Sequence, residues 1–299
     1  MPELASLFDL LDATQDHAQV YSQGLVCNRY DEDIFPVNTQ GSVPNNLVDW
    51  THGNTLSFSP VVRNDDESGS PTPAPIIFSS RSLSSVMSIK RSAPGTQAHP
   101  APAPEIEWFV GPTPMPSLTA TGVPQFHPPT SDQFYTQHHA TQLANGNLLM
   151  IDNGGARPNT NPKFSRALEV ALNFDTGVAR AVWEFRPPEN DGNESYYAQH
   201  GGSAHIVPLA PKAPLAPGEA TSGGEQGSSI GAGNGQGRPN RIVSFPCDGA
   251  NFAPPQIYAR LNCSMVIYEV DPDGEEVARI IVPEYPWLQI SDPHLFPGP

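Results

Sequence analysis

The sequence predicts an all-β fold: a β-propeller with about three recognisable four-stranded blades, a short N-terminal helical segment and long disordered loops. Three observations predict it. Helical periodicity nearly vanishes after residue 45. From about Asn46 the chain is a series of short runs rich in Val, Ile, Phe and Trp, broken by Pro, Gly, Asn and Asp. One order also recurs three times: a His-containing lead-in, a short apolar run, a linker, then two runs joined as a hairpin.

Residues Pro2 to Gln23 carry Leu4, Leu7, Phe8, Leu10 and Leu11 at helical spacing, so residues 1–45 read as a partly helical N-terminal segment. The propeller domain follows over 46–290, and 291–299 is a Pro-rich tail. The first repeat, roughly Asp49 to Gly111, reads THGNTLSF, PIIFSSRSL, SSVMSIKR and EIEWFVG. The second, about Tyr135 to Arg186, reads QHHATQLANG, NLLMIDNG, SRALEVALNF and ARAVWEFR, with Asp175-Thr176-Gly177 turning its last pair. The third, about Gln199 to Pro283, reads GGSAHIVPL, NRIVSF, SMVIYEVD and EEVARIIV, with Asp271 to Gly274 at the turn. Trp108 and Trp183, on equivalent last strands, belong between blades.

Three stretches interrupt the pattern: Asn64 to Pro75, Ser92 to Pro104, and a low-complexity insertion over about 210–238. They are dominated by small and polar residues and Pro, which bury too little apolar surface to offset ordering, so surface loops are expected. Closed propellers have about 4 to 8 blades, so three do not close a ring. The chain is then either an incomplete propeller or one whose first 45 and last residues add degenerate strands.

Fifteen Lys plus Arg against 31 Asp plus Glu give a formal charge of −16, which repels phosphate backbones and anionic membranes. Nucleic acid and membrane are therefore not expected partners, and any anion needs local Arg or His. The chain shows no apolar run of membrane-spanning length, and its acidic N-terminus does not read as a signal peptide. Cys27, Cys247 and Cys263 read as free thiols, with pairing of the last two open to an oxidising compartment. No metal or other cofactor is expected, since no His pair has the H-E-x-x-H spacing and no Gly-rich phosphate loop occurs.

The histidines carry the chemical signal. His52, His138, His139, His200 and His205 lie at or near the first strand of a repeat, the strand that lines a propeller's channel. Counting back from Leu56, Leu143 and Val207 puts His52/Asn54, His139/Thr141 and Ser203/His205 on one strand face in each copy. Trp50, Phe126, Tyr135 and Tyr197 are the nearby aromatics that could stack on a ligand ring or pack in the core. Asp152 and Asn153 read as a turn after NLLMI.

These residues resemble a known family. Asp49-Trp50-Thr51-His52-Gly53-Asn54, Ser79-Ser80-Arg81-Ser82-Leu83, and Gln137-His138-His139-Ala140 running into the segment Leu143 to Gly154 follow the order of the arylsulfotransferase (aryl-sulfate sulfotransferase) family. Ser165 to Glu169 and Val182 to Phe185 continue it, over roughly residues 45 to 285. The resemblance implies a propeller enzyme that moves a sulfuryl group from an aryl sulfate to a phenol without a nucleotide donor, by way of a sulfated histidine. Its small-molecule partners would be the aryl sulfate and the phenol. Its bacterial relatives are exported to the periplasm.

By the same resemblance, His52 and Asn54 match the D-W-x-H-x-N element, and His138 the His of Q-H-[DN]-A. His139 stands where the family has an acidic or polar residue, and Arg157, after D-N-G, resembles the sulfate-clamping arginine. The catalytic candidates are thus His52, His138, His200 and His205, with Asn54, His139 and Arg157 binding substrate. The nucleophile stays open, as do the oligomeric state and a competing reading as a non-catalytic propeller that binds a ligand or protein.

Overall fold

The computed structural model describes residues 52–61, 73–91, 105–160, 163–188, 196–207, 238–246 and 263–283. The expected N-terminal helix, the Pro-rich tail, all of the insertion over 210–238 but its last residue, most of the two shorter inserts, Trp50 and Cys27 and Cys247 lie outside them.

Within the described residues the fold is all-β, and the strands fall where the repeats put them. The first sheet holds β1 (Gly53–Phe58), β2 (Ile76–Ser80), β3 (Ser85–Lys90) and β4 (Glu105–Val110) as an antiparallel meander. A six-residue helix, α1 (Pro116–Thr121), and a two-residue strand, β5 (Gln125–Phe126), follow, and β5 pairs parallel to β4 as a fifth strand. The second sheet is β6 (His138–Gln142), β7 (Leu148–Asp152), β8 (Arg166–Asn173) and β9 (Val178–Phe185). The third is β10 (Ser203–Ile206), β11 (Arg241–Pro246), β12 (Cys263–Val270) and β13 (Glu276–Pro283).

All twelve repeat strands appear in order; α1 and β5 were not expected. Six residues are too few to show a 3.6 period. The helix instead follows local signals: Pro116 in its first turn and Gly122 at φ 74° closing it in the left-handed region. Both predicted hairpins turn on glycines of that kind, Gly177 (φ 66°) and Gly274 (φ 93°). Asn173 and Asp271 accept the turn amides with their side chains.

The sheets are open, and each buries one face against the next. Ile77, Val86 and Trp108 of the first sheet pack on Ala140, Leu148, Met150 and Leu168 of the second. Ile151, Trp183 and Phe185 of the second pack on Val243, Phe245, Val266 and Tyr268 of the third. The two tryptophans are thus core residues between sheets, as the repeats predict. Phe126 and Tyr135 are buried too, which removes them as ring platforms, while Tyr197 is half-exposed. The first strands meet across the sheets, β1 against β6 and β6 against β10. Their starting ends therefore come together.

Candidate active site

Two β-bulges shape this meeting point. Gly53 pairs with Ser80 and Thr55 with Ser79, so Asn54 is an extra residue in β1. His138 pairs with Ile151 and Thr141 with Leu149, so β6 also holds one residue too many just after its histidine. β10 pairs with β11 without interruption. This corrects the strand-face count from the sequence, because each bulge shifts the alternation by one. The backbone is strained here: His52, Ser84, Thr136 and His139 are four of the five non-glycine residues at positive φ among the described residues.

A polar network locks the first two sheets together. Gln137, fully buried, donates from Nε2 to Ser79 Oγ, Ser80 O and Ser85 O. Asn54 Nδ2 donates to Gln137 O at 2.5 Å, and Thr136 N donates to Ser84 Oγ at 3.1 Å. Arg81, in the turn between β2 and β3, is held through its backbone: its N–H donates to His52 O and its carbonyl accepts from Ser84 N, both at 3.0 Å.

His138 sits at the centre. Its Nδ1 lies 2.8 Å from Asn153 Oδ1. Its pKa is lowered from 6.5 to about 4, chiefly by burial, with the Asn153 oxygen opposing and the charges of Arg81 and His52 adding to the fall; the Thr136 carbonyl opposes it least. Two sequence candidates, His52 and His138, are thereby brought within electrostatic reach of each other and of Arg81. Arg81 is only 8% exposed, and its Nε has no hydrogen-bond partner among the described residues. A buried guanidinium left short of an acceptor is suited to hold an oxyanion.

The remaining candidates lie differently. His139 turns toward the third sheet, where its ring stacks on that of His205 at 4.5 Å between centroids and its Nδ1 faces Ala204 N at 3.4 Å. Burial and, next, the His205 charge lower its pKa. His205 and His200 are exposed, and neither is among the groups acting on His138. Arg157 stands apart from the histidine pair. Its guanidinium pairs with Asp152, donates to Gln133 O at 3.1 Å, and lies 4.3 Å over the Phe164 ring and 5.3 Å over that of Tyr135.

Two residues of the site carry roles that the sequence reading did not assign. Arg81 stands in the Ser-Ser-Arg-Ser-Leu string but was given none there. Asn153, read as a turn residue, touches His138. A buried turn between two sheets has no periodic signature, and the order of the motif was the one signal that pointed to Arg81.

Fold and site together define an all-β protein with a neutral, buried histidine beside an under-partnered arginine and a second histidine. The chain belongs to the arylsulfotransferase (ASST) family, whose model matches residues 3–207. That match takes in the first two sheets and β10 and stops before β11, so it reaches further toward the N-terminus than the motifs and less far toward the C-terminus. Membership places the chain among sulfotransferases of aryl compounds. No curated protein matches it.

Proposed function

We propose that the chain transfers a sulfuryl group from an aryl sulfate to a phenol through His138, with no nucleotide, metal or other cofactor. The observation that carries this reading is the placement of a buried, neutral His138 within the field of both Arg81 and His52. A neutral imidazole is a nucleophile; a protonated one is not. In the first step the Nε2 lone pair of His138 attacks sulfur, an N–S bond forms, and the S–O bond breaks with its electron pair on the departing phenolate. His52 supplies the proton that the phenolate takes. In the second step His52 removes the proton of the acceptor phenol, whose oxygen attacks sulfur and returns the N–S pair to His138.

Arg81 is the clamp on the sulfuryl oxygens in this reading, where its fork complements charge that grows in the transition state. Arg157 supports the loop instead. Asn54 binds at the floor of the site by fixing the Gln137 carbonyl next to His138. His139 with His205, and His200 beyond them, border the side toward the third sheet and are assigned to the acceptor. We further read the three sheets as blades of a propeller domain over 46–290, since meandering sheets that pack face to face with first strands together are how blades are arranged.

The test is release of 4-nitrophenol from 4-nitrophenyl sulfate, with and without phenol, beside His138→Ala. Phenol-dependent release that disappears in the variant, with a sulfated His138 peptide trapped before phenol is added, is the expected result. Folded protein that releases nothing with any phenol sinks the reading and favours a binding-only propeller.

A further inference from the structure

We propose that Asn153 is a positioning residue for this transfer: it holds His138 in the tautomer whose Nε2 bears the lone pair, and it ties that tautomer to the loop ahead of β10. The proposal rests on His138 being the nucleophile, but it makes its own physical claim about one imidazole.

The reasoning starts from the amide. An asparagine side chain has one end that only donates and one that only accepts. The contacts away from His138 decide which end is which. Asn153 Nδ2 lies 2.9 Å from the Ala198 carbonyl and 3.2 Å from that of Gly201, and both oxygens can only accept. The two amide hydrogens are therefore engaged there, and Oδ1 is the atom left facing His138 Nδ1 at 2.8 Å. Oδ1 cannot donate, so Nδ1 must carry the hydrogen. A neutral imidazole has only one, which leaves Nε2 bare.

The amide has little freedom to turn over. Asn153 is fully buried, and its own carbonyl accepts from Ser165 Oγ at 2.9 Å. The same hydroxyl accepts from Ala198 N at 2.9 Å and contacts Ala198 O at 3.1 Å, so Ser165 joins the two chains that the asparagine bridges. Gly154, next in the chain at φ 73°, leaves no space for a side chain, since a Cβ there would lie 2.2 Å from Phe164 O. The loop from Tyr196 to Gly202 thus reports its position to the nucleophile through a single amide.

The experiment measures the tautomer in the ¹⁵N-labelled full chain, from two-bond ¹H–¹⁵N couplings of the His138 ring at pH 7, assigned with His138→Gln. Wild type is expected to show hydrogen on Nδ1. Asn153→Leu, which has no acceptor, is expected to lose that preference, with kcat on 4-nitrophenyl sulfate falling between about 10²-fold and 10⁴-fold and KM little changed. Asn153→Asp keeps an acceptor and adds a negative charge beside His138, the ring on which the charges of Arg81 and His52 also act. It is expected to keep the tautomer and to move the acid limb of the kcat/KM profile upward. Ser165→Ala loosens the Ala198 carbonyl to which the amide donates and is expected to weaken the same preference, by less than Asn153→Leu does. An unaltered ring in Asn153→Leu, a larger ring shift in Ser165→Ala than in Asn153→Leu, or an unmoved acid limb in Asn153→Asp each overturns the proposal; if the leucine variant does not fold, the aspartate variant decides. A sulfated residue other than His138 in wild type refutes the nucleophile reading instead and leaves the tautomer result standing.

Discussion

Asp152 and Asn153 are consecutive, yet they serve two neighbourhoods that handle buried charge in opposite ways. Asp152, fully buried, accepts from Arg157 and from Arg166 Nε at 2.8 Å, and Arg166 goes on to Glu184 Oε2 at 2.6 Å and to Gln133 O and Ser131 O. Every guanidinium there has a carboxylate. Asn153 instead holds His138, on which the charges of Arg81 and His52 act, and no carboxylate is among the groups that act on that histidine. The first neighbourhood pairs its guanidinium charges with carboxylates, although Arg157 Nε, like Arg81 Nε, has no hydrogen-bond partner among the described residues. Among the described residues the second leaves the Nε of a buried arginine, Arg81, without a hydrogen-bond partner, the feature on which the proposed sulfate clamp rests.

This contrast can be broken from either side. Asp152→Ala should have the largest effect, a loss of about 3–5 kcal/mol in urea unfolding, because two buried arginines lose their shared partner. Arg81→Met should lower turnover of 4-nitrophenyl sulfate by about 10²–10³-fold while unfolding free energy stays within about 1 kcal/mol or rises, since a buried charge without a counter-ion is removed. Arg157→Met should show the reverse pattern, chiefly a stability loss.

Proton binding sharpens the same contrast. His138 has a folded pKa of about 4 against 6.5 in the unfolded chain, so between those values the unfolded chain binds more protons. Its share of stability is complete above pH 6.5 and is lost as pH falls toward 4, by about 3 kcal/mol in total. Unfolding measured across that window should be flatter by this amount in His138→Gln. Turnover should keep its His138-dependent acid limb near pH 4. The smallest effect belongs to an ion pair in water: Arg238 and Asp273 are 69% and 77% exposed, and Asp273→Ala should change stability by under about 1 kcal/mol, less still in high salt.

The strands were legible in the sequence because burying one sheet against the next demands apolar residues at fixed places, as in Ile151, Trp183 and Phe185. The meeting of His52 and His138 was legible for a similar reason, since both stand at the start of a first strand. What could not be read was which side chains would meet across sheets. Gln137 reaches Ser79 and Ser85 over gaps of 58 and 52 residues, and no local pattern announces such a contact. For Arg157 the motif could not announce its partners, Asp152 and the ring of Phe164. The face count failed for a single-residue reason, the bulges after Gly53 and His138.

Those bulges also set what kinds of sequence change the protein can tolerate. Substitutions near them alter a side chain, but deleting one residue between His138 and Thr141 would let β6 pair with β7 without interruption and give a better ladder. The same deletion would turn the ring of His138 to the opposite face of the sheet. Such a variant should keep its sheet and lose the contact between His138 and Asn153, so this place admits a change of side chain more readily than a change of length.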